Sequence, residues 1–91
     1  MANHKSAEKR ARQSEERRLR NRARKSIMKT AVRKVQEAMA AKSVDTLPEI
    51  LKEAVSVIDR TASKGTIHSN NAARKISRLS RRVNAFLQAQ A

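Results

Sequence analysis

Arginine and lysine are the side chains whose chemistry says most about what this sequence can bind, and they are concentrated toward its two ends. Residues 1–30 hold 11 basic and 3 acidic groups, a net of 11 − 3 = +8, and residues 64–91 hold 6 basic and no acidic groups, a net of +6. Residues 31–63 hold 5 of each and are neutral, so the whole chain carries +14. Guanidinium and ammonium groups bind phosphate oxygens. The distribution predicts two surfaces that bind a polyanion, and nucleic acid is the commonest such partner.

The basic residues of the N-terminal segment point all round a helix axis when placed at about 100° per residue. A solvated helix usually interleaves both signs, but only three glutamates interrupt this segment, and we assign those to helix-stabilising pairs such as Glu8–Arg12. We therefore favour phosphate contact over a merely solvated face. The predicted contacts in this segment are Lys9, Arg10, Arg12, Arg17, Arg18, Arg22, Arg24 and Lys25.

A second basic group lies near the C-terminus, on a predicted helix that also has an apolar side. Its members fall within an arc of about 120°, so one surface can pack while another faces phosphate. The alternative is that these charges serve solubility alone. The predicted contacts in this group are Arg74, Lys75, Arg78, Arg81 and Arg82, and Lys64, in the turn before this helix, is predicted as a further contact.

The residue types that metal binding and catalysis need are scarce. The two histidines, His4 and His68, lie far apart, and there is no cysteine, so no metal-ligand spacing is present. A single glycine excludes a phosphate-cradling loop of the Walker type, and no polar face presents paired carboxylates beside a base. We predict no enzyme activity, no metal and no cofactor. His68 is interpreted first as a turn residue and second as a phosphate or ribose contact.

The chain has one aromatic residue, Phe86, and its spacing predicts a core position. Readers of single-stranded RNA stack bases on aromatic side chains. This chain lacks such a platform, so we expect recognition to rest on backbone phosphates, sugars and the shape of the nucleic acid. Amide side chains such as Asn21 and Asn71 can add hydrogen bonds, although each is more easily explained as a cap or surface residue.

The elements that must position these residues are predicted to be helices, because strong helix formers dominate and turn residues are few. The first helix is expected over about 6–42, with Ser6 as its cap. Its second half carries an apolar stripe that includes Ile27, whereas its first half has no face to bury and should project. We divide the chain into a basic arm, residues 1–24, and a bundle, residues 25–91.

The second and third helices are expected to begin near Thr46 and Ser69. Thr46-Leu47-Pro48-Glu49 matches a capping box, and Gly65 can adopt the left-handed conformation that closes a helix. Both helices have an apolar face at helical spacing, and short connections favour antiparallel neighbours. The predicted fold is all-α: an antiparallel three-helix bundle with an overlong, basic N-terminal helix.

So small a core and so much charge of one sign leave little net stability. We therefore expect the arm to be largely disordered without a partner and helical when bound. The sequence shows no apolar signal segment and no stretch approaching the length of a membrane span, which favours a cytosolic protein. We expect no homo-oligomer.

Two stretches resemble the family of the twentieth protein of the bacterial small ribosomal subunit. They are Met1-Ala2-Asn3-x-Lys5-Ser6-Ala7-x-Lys9-Arg10-x-Arg12-Gln13-Ser14 and Lys64-Gly65-x-Ile67-His68-x-Asn70-x-Ala72-Ala73-Arg74-Lys75-x-Ser77-Arg78-Leu79. The resemblance implies a three-helix bundle that binds small-subunit ribosomal RNA directly and early in assembly, with other small-subunit proteins as possible neighbours. The sequence departs from the family at Ile76, where such proteins often have a basic residue. The RNA contacts that the resemblance implies are Asn3, Lys5, Ser6, Lys9, Arg10, Arg12, Gln13, Ser14, His68, Asn70, Arg74, Lys75 and Arg78.

Two other functions fit parts of the pattern. A DNA-compacting protein would share the charge, but such proteins often insert an apolar wedge between base steps, and no exposed Phe, Ile or Pro is predicted at a basic tip. A membrane-active helix needs a wide apolar face opposite its charges, and residues 5–25 have none. A structural RNA-binding protein is the function that the sequence favours.

Overall fold

Three α-helices account for most of this chain in a computed structural model, which describes the backbone of residues 2–90 and the side chains of residues 4–90. They are α1 (Ala2–Ala40), α2 (Leu47–Ser63) and α3 (Ser69–Gln90). No strand occurs within the described residues, so the all-α prediction is confirmed. The two connections are short, and α2 packs against both α1 and α3.

The core lies where the second half of α1 meets α2 and α3. Val35, Leu47, Ile58 and Val83 are its fully buried large side chains, so all three helices contribute. The apolar faces predicted for α2 and α3 are buried or half-buried throughout, including Ile76, which packs against the core. The isoleucine at position 76 therefore contributes to packing, whereas a basic side chain at this position would have to point away from the core.

Two residues of α2 belong to the core although the apolar pattern did not assign them. Val57 lies on the edge of the apolar face and is buried. Thr61 is buried too, and its hydroxyl donates a hydrogen bond of 2.7 Å to the carbonyl oxygen of Val57 one turn earlier. This local bond satisfies the polar group, so burying a threonine here leaves no unpaired donor.

Two details of α1 differ from the prediction. The helix begins at Ala2, so Ser6 lies inside it and does not cap it; no glycine or proline interrupts residues 2–6, and the helix simply continues toward the N-terminus. Ile27, assigned to the apolar stripe, is 60 % exposed. It lies at the edge of that stripe, beside an open groove of about 710 Å³ between α1 and α2.

The helix ends show how the chain turns. After α2, Gly65 takes a left-handed backbone with φ = 77°, as predicted. The N–H groups of Gly65 and Thr66 donate to the carbonyls of Ala62 and Thr61, at 2.9 and 3.2 Å, which is the Schellman arrangement. The predicted capping box is wrong: Thr46 precedes α2 but makes no side-chain cap hydrogen bond. Its hydroxyl donates instead to the carbonyl of Ser43 at 3.3 Å.

The end of α1 uses the same turn with a less suitable residue. Lys42 has φ = 55°, and the N–H groups of Lys42 and Ser43 donate to the carbonyls of Met39 and Ala38, at 3.1 and 3.0 Å. For a side chain with a Cβ this left-handed conformation costs about 1 kcal/mol or more. Lys42 therefore holds a position that glycine would occupy without strain.

Lys42→Gly is expected to raise the free energy of unfolding by about 1 kcal/mol, because it removes that strain. The matched change, Gly65→Ala, should lower it by a similar amount; a Cβ at Gly65 meets no atom within 4 Å, so only the backbone conformation is tested. Thermal unfolding followed by circular dichroism would measure both shifts, about 4–8 °C each for a domain of this size. Equal melting temperatures for the two variants would contradict the assignment.

The molecule is elongated because α1 extends far beyond the bundle. The Cα atoms span 70 × 23 × 14 Å with a radius of gyration of 18.2 Å, against roughly 12 Å for a compact chain of this length. Every residue from His4 to Arg20 is exposed, and Asn21 is the first that is half-buried. About 27 Å of helix therefore stands clear of the core, and from here on the arm means this part, residues 2–20; the sequence-based division of the chain at residue 24 stays a prediction.

Candidate nucleic-acid interface

The arm presents cations in every direction around its axis. Lys5, Lys9, Arg10, Arg12 and Arg17 are all exposed, as are the polar candidates of the same segment. None of the described arm residues before Asn21 is covered by α2 or α3, so each side chain is free to meet a ligand on its own side. The arrangement suits a rod inserted between several anionic strands better than a helix laid on one flat surface. The candidate at Asn3 lies outside the residues whose side chains are described.

One arm cation is already engaged by a carboxylate. Arg18 donates two hydrogen bonds to Glu15, at 2.6 Å from Nη2 and 3.1 Å from Nε, and these bonds with the guanidinium charge lower the pKa of the Glu15 carboxyl. Both groups are well exposed, so water screens the pair and its energy is small. A phosphate that binds Arg18 must displace or share Glu15, whereas Arg17 has no such competitor among the described residues.

Other contacts along the arm are local. Arg10 donates from Nε to the carbonyl of Ser6 at 3.4 Å, and Nε2 of His4 lies 3.1 Å from Oε1 of Glu8. Each joins residues one helical turn apart. They support the helix without burying any side chain, so the arm has no tertiary anchor before Asn21. Its disorder in the free protein stays a prediction, which amide hydrogen exchange on the free protein would test.

The second basic surface is a stripe along α3. Its five cations are all exposed, and within residues 4–90 none is paired with a carboxylate. Ala72, Leu79 and Val83 are buried on the other side of the same helix. The buried apolar side chains and the exposed cations therefore lie on different sides of α3, as predicted. The stripe consists of Arg74, Lys75, Arg78, Arg81 and Arg82.

The base of the arm is tied to the connection between α2 and α3. The hydroxyl of Thr66 donates to Oδ1 of Asn21 at 3.1 Å, and Nη1 of Arg24 approaches the same oxygen at 3.4 Å. This contact sets where the arm leaves the bundle relative to the start of α3. Asn21, interpreted from sequence as a cap or surface residue, is half-buried and joins the base of the arm to the connection between α2 and α3.

His68 caps the start of α3. Its Nδ1 accepts a hydrogen bond of 3.0 Å from the backbone N–H of Asn70, so the interpretation of His68 as a turn residue agrees with the structure. In the neutral ring the proton then resides on Nε2. The side chain is exposed, and Nε2–H is the atom that remains able to donate to a phosphate or a ribose.

A cleft at the base of the arm contains a cation that the sequence pattern did not indicate. Arg24, Arg60 and Lys64 line it, and its volume is about 130 Å³. Arg60 was not predicted because it lies in the neutral segment, residues 31–63. Only the antiparallel packing of α2 on α1 brings it beside Arg24. Arg20 is a second omission, an exposed arm cation that fits the pattern of its neighbours.

Two kinds of feature are not found in the described part of the chain. No three side chains of the His, Cys, Asp or Glu type come together as a metal site would require. Of the three helices, none is both apolar and long enough to span a bilayer.

The fold and the surface together define a class: a small, strongly cationic, all-helical protein with its charge on a projecting helix and on one stripe of the bundle. A sequence model of the family described as ribosomal protein S20 matches residues 2–84. The chain belongs to this family.

Curated relatives from several bacteria match nearly the whole chain. The protein named small ribosomal subunit protein bS20 from Syntrophobacter fumaroxidans is 66 % identical over 86 residues, which cover 94 % of this chain and 100 % of that protein. Proteins of the same name from Desulfotalea psychrophila and Desulfatibacillum aliphaticivorans are 54 % and 53 % identical, over 98 % and 94 % of this chain and 100 % and 98 % of their own lengths. The resemblance seen in the two sequence stretches is thereby confirmed.

Proposed function

We propose that this protein is a structural component of the small ribosomal subunit, working in the cytoplasm, that binds ribosomal RNA directly through backbone phosphates and helps the RNA to fold. The observation that carries the proposal is the arm: about 27 Å of helix with exposed cations on all sides and no contact to the bundle. The relatives of this protein bear the name of a small-subunit protein. The proposed role is structural and includes no catalytic step.

The mechanism is neutralisation of repulsion between RNA strands. Folded RNA brings phosphates close together, and each cation placed between them releases condensed counterions and lowers that repulsion. A helix with cations on one face can neutralise the phosphates of one RNA strand, whereas the arm can neutralise phosphates of strands on opposite sides at the same time. The α3 stripe adds a contact on the bundle itself, so protein and RNA would fix each other's geometry over the 70 Å length of the molecule. Other small-subunit proteins are proposed as possible neighbours in the assembled subunit.

The individual contacts remain proposals, and their exposure supports them. All proposed side chains from Lys5 onward are exposed except Arg24, which is half-buried. Ser6, Gln13, Ser14 and Asn70 are exposed with them and can add hydrogen bonds to sugar or phosphate. Lys25 and Arg22 extend the arm's charge toward the bundle.

The binding constant for small-subunit ribosomal RNA, folded in magnesium, is expected to fall steeply with salt. Each neutralised phosphate adds about −0.7 to −0.9 to the slope of log K against log salt, so about ten contacts predict a slope near −7 to −9. Filter binding across a series of potassium chloride concentrations would measure it. Duplex DNA of equal length should bind more weakly at moderate salt, since the predicted recognition includes RNA shape and sugars. A flat slope, or equal affinity for DNA, would contradict the proposal.

A further inference from the structure

The cleft where the arm joins the bundle gathers three cations from three parts of the chain. Arg24 comes from α1, Arg60 from the last turn of α2, and Lys64 from the residue that follows α2. We propose that this cleft binds one phosphate group of the RNA backbone. The inference rests on the proposed function and deepens it. It adds Arg60 as an RNA contact and identifies one place where residues of separate helices bind the same phosphate.

The charge of the cleft is of one sign. No carboxylate lines it. Arg60 forms an ion pair with Glu53, at 3.6 Å between Nη2 and Oε1, and the two side chains are 62 % and 70 % exposed. An exposed pair of this length has little energy. A phosphate entering the cleft therefore meets three cations and competes with one carboxylate, the weakly held Glu53.

The other walls of the cleft strengthen the attraction. Ile27 and Val57 line it beside the cations, and apolar walls around charges of one sign focus the field into the cleft. Ile27 is 60 % exposed, so its side chain is accessible to a ligand in the cleft. The ribose next to the bound phosphate would cover the Ile27 side chain, so Ile27 would contact the RNA.

Two of the three cationic side chains, those of Arg24 and Arg60, make a hydrogen bond within the protein before a ligand arrives. Arg24 reaches Oδ1 of Asn21, which also accepts the hydroxyl of Thr66. Arg60 donates from Nε to the carbonyl of Ser56 at 3.4 Å, and only the backbone of Lys64 is fixed, in the hydrogen-bonded turn that ends α2. Groups that are already positioned lose less side-chain entropy on binding. Arg24 differs from the arm cations because its partner Asn21 is itself held by Thr66, from another part of the chain.

A simpler role for Arg60 is electrostatic support of its own helix. A cation in the last turn interacts favourably with the helix dipole, and that role predicts an effect on stability alone. RNA affinity separates the two roles, provided that folding is checked by circular dichroism.

The test compares Arg60→Gln and Lys64→Gln with Arg33→Gln and Lys52→Gln, which remove exposed charges that do not line the cleft. Binding of the full chain to folded small-subunit ribosomal RNA is measured against salt. Each cleft variant should bind about tenfold more weakly, as expected when a charge-assisted hydrogen bond is removed, and its salt slope should fall by at most the roughly 0.7–0.9 that one phosphate contributes, because the other two cations still contact that phosphate. The controls should stay within about twofold of the parent.

Double variants show whether the cations share one phosphate. Arg60→Gln combined with Lys64→Gln should cost less than the product of the two single effects, because contacts to a shared group are coupled, whereas Arg60→Gln with Arg78→Gln should be multiplicative. If Arg60→Gln binds like Lys52→Gln while the parent shows the steep salt slope, the cleft proposal fails and the function stands. If the parent itself shows no steep slope, the function fails and the cleft proposal with it.

Discussion

Charge reversal at four arginines of α1 should abolish stable binding to ribosomal RNA at physiological salt. The four positions are Arg17, Arg18, Arg22 and Arg24, each replaced by glutamate, which changes the net charge from +14 to 14 − 8 = +6. Each reversal removes a cation and places an anion against phosphate. Four phosphates would no longer be neutralised, and each accounts for about 0.7 to 0.9 of the salt slope. The slope should therefore become less negative by about 3, and affinity should fall by at least about a hundredfold.

The matched control keeps the net charge and changes its location. Lys29, Arg33, Lys34 and Lys52 are exposed cations in the bundle half of the molecule, and their reversal to glutamate also gives +6. This variant should bind no more than about tenfold more weakly than the parent, since long-range attraction is reduced while the arm is intact. Incorporation into reconstituted small subunits would supply the second readout. Equal effects in both variants would mean that affinity follows total charge and that the end of the arm and the segment after it, residues 17–24, have no special part.

Helical content should be compared in both variants before binding is interpreted. Reversal at position 18 removes the pair with Glu15 and adds like charges one turn apart, which destabilises a helix slightly. The arm has no tertiary contact to compensate. A variant that regains helicity in a helix-promoting solvent but still fails to bind RNA would assign the effect to charge.

Most of the fold follows from local periodicity. The apolar residues of α2 and α3 recur at helical spacing, so their faces and boundaries could be assigned without knowledge of the partner helices. The start of α3 at Ser69 and the left-handed Gly65 were equally predictable, because each depends on the chemistry of a few adjacent residues. The exposed arm followed from the absence of any apolar face.

What escaped prediction depends on contacts between distant segments or on a choice between equivalent local bonds. Ser6 and Thr46 both have capping chemistry, but a serine or threonine hydroxyl can be used elsewhere: Thr46 donates to Ser43, and α1 continues past Ser6. The exposure of Ile27 and the approach of Arg60 to Arg24 are set by how α2 crosses α1. Neither a spacing nor a composition contains that information.

Truncation of a fully buried core side chain on α2 should unfold the free protein. Ile58 is fully buried on the helix that packs against both others, and an isoleucine-to-alanine change in a core costs about 2–5 kcal/mol. A small helical core that supports a charge of +14 has little stability to spare. Ile58→Ala should therefore lose most of its helical signal at 25 °C in the absence of RNA, measured by circular dichroism.

The same variant should regain its fold when RNA is present, because a ligand that binds only the folded state stabilises it by mass action, by about 4 kcal/mol at a thousandfold excess over the dissociation constant. Leu19→Ala is the control: Leu19 is 51 % exposed on the arm, so bundle stability should change by less than about 0.5 kcal/mol. Because α2 joins α1 to α3, unfolding of the Ile58→Ala variant should separate the arm from the α3 stripe. The variant should therefore bind RNA with lower affinity than the parent, while its salt slope stays unchanged. A variant that stays folded alone would show that the core, and not the RNA, supplies most of the stability of this molecule.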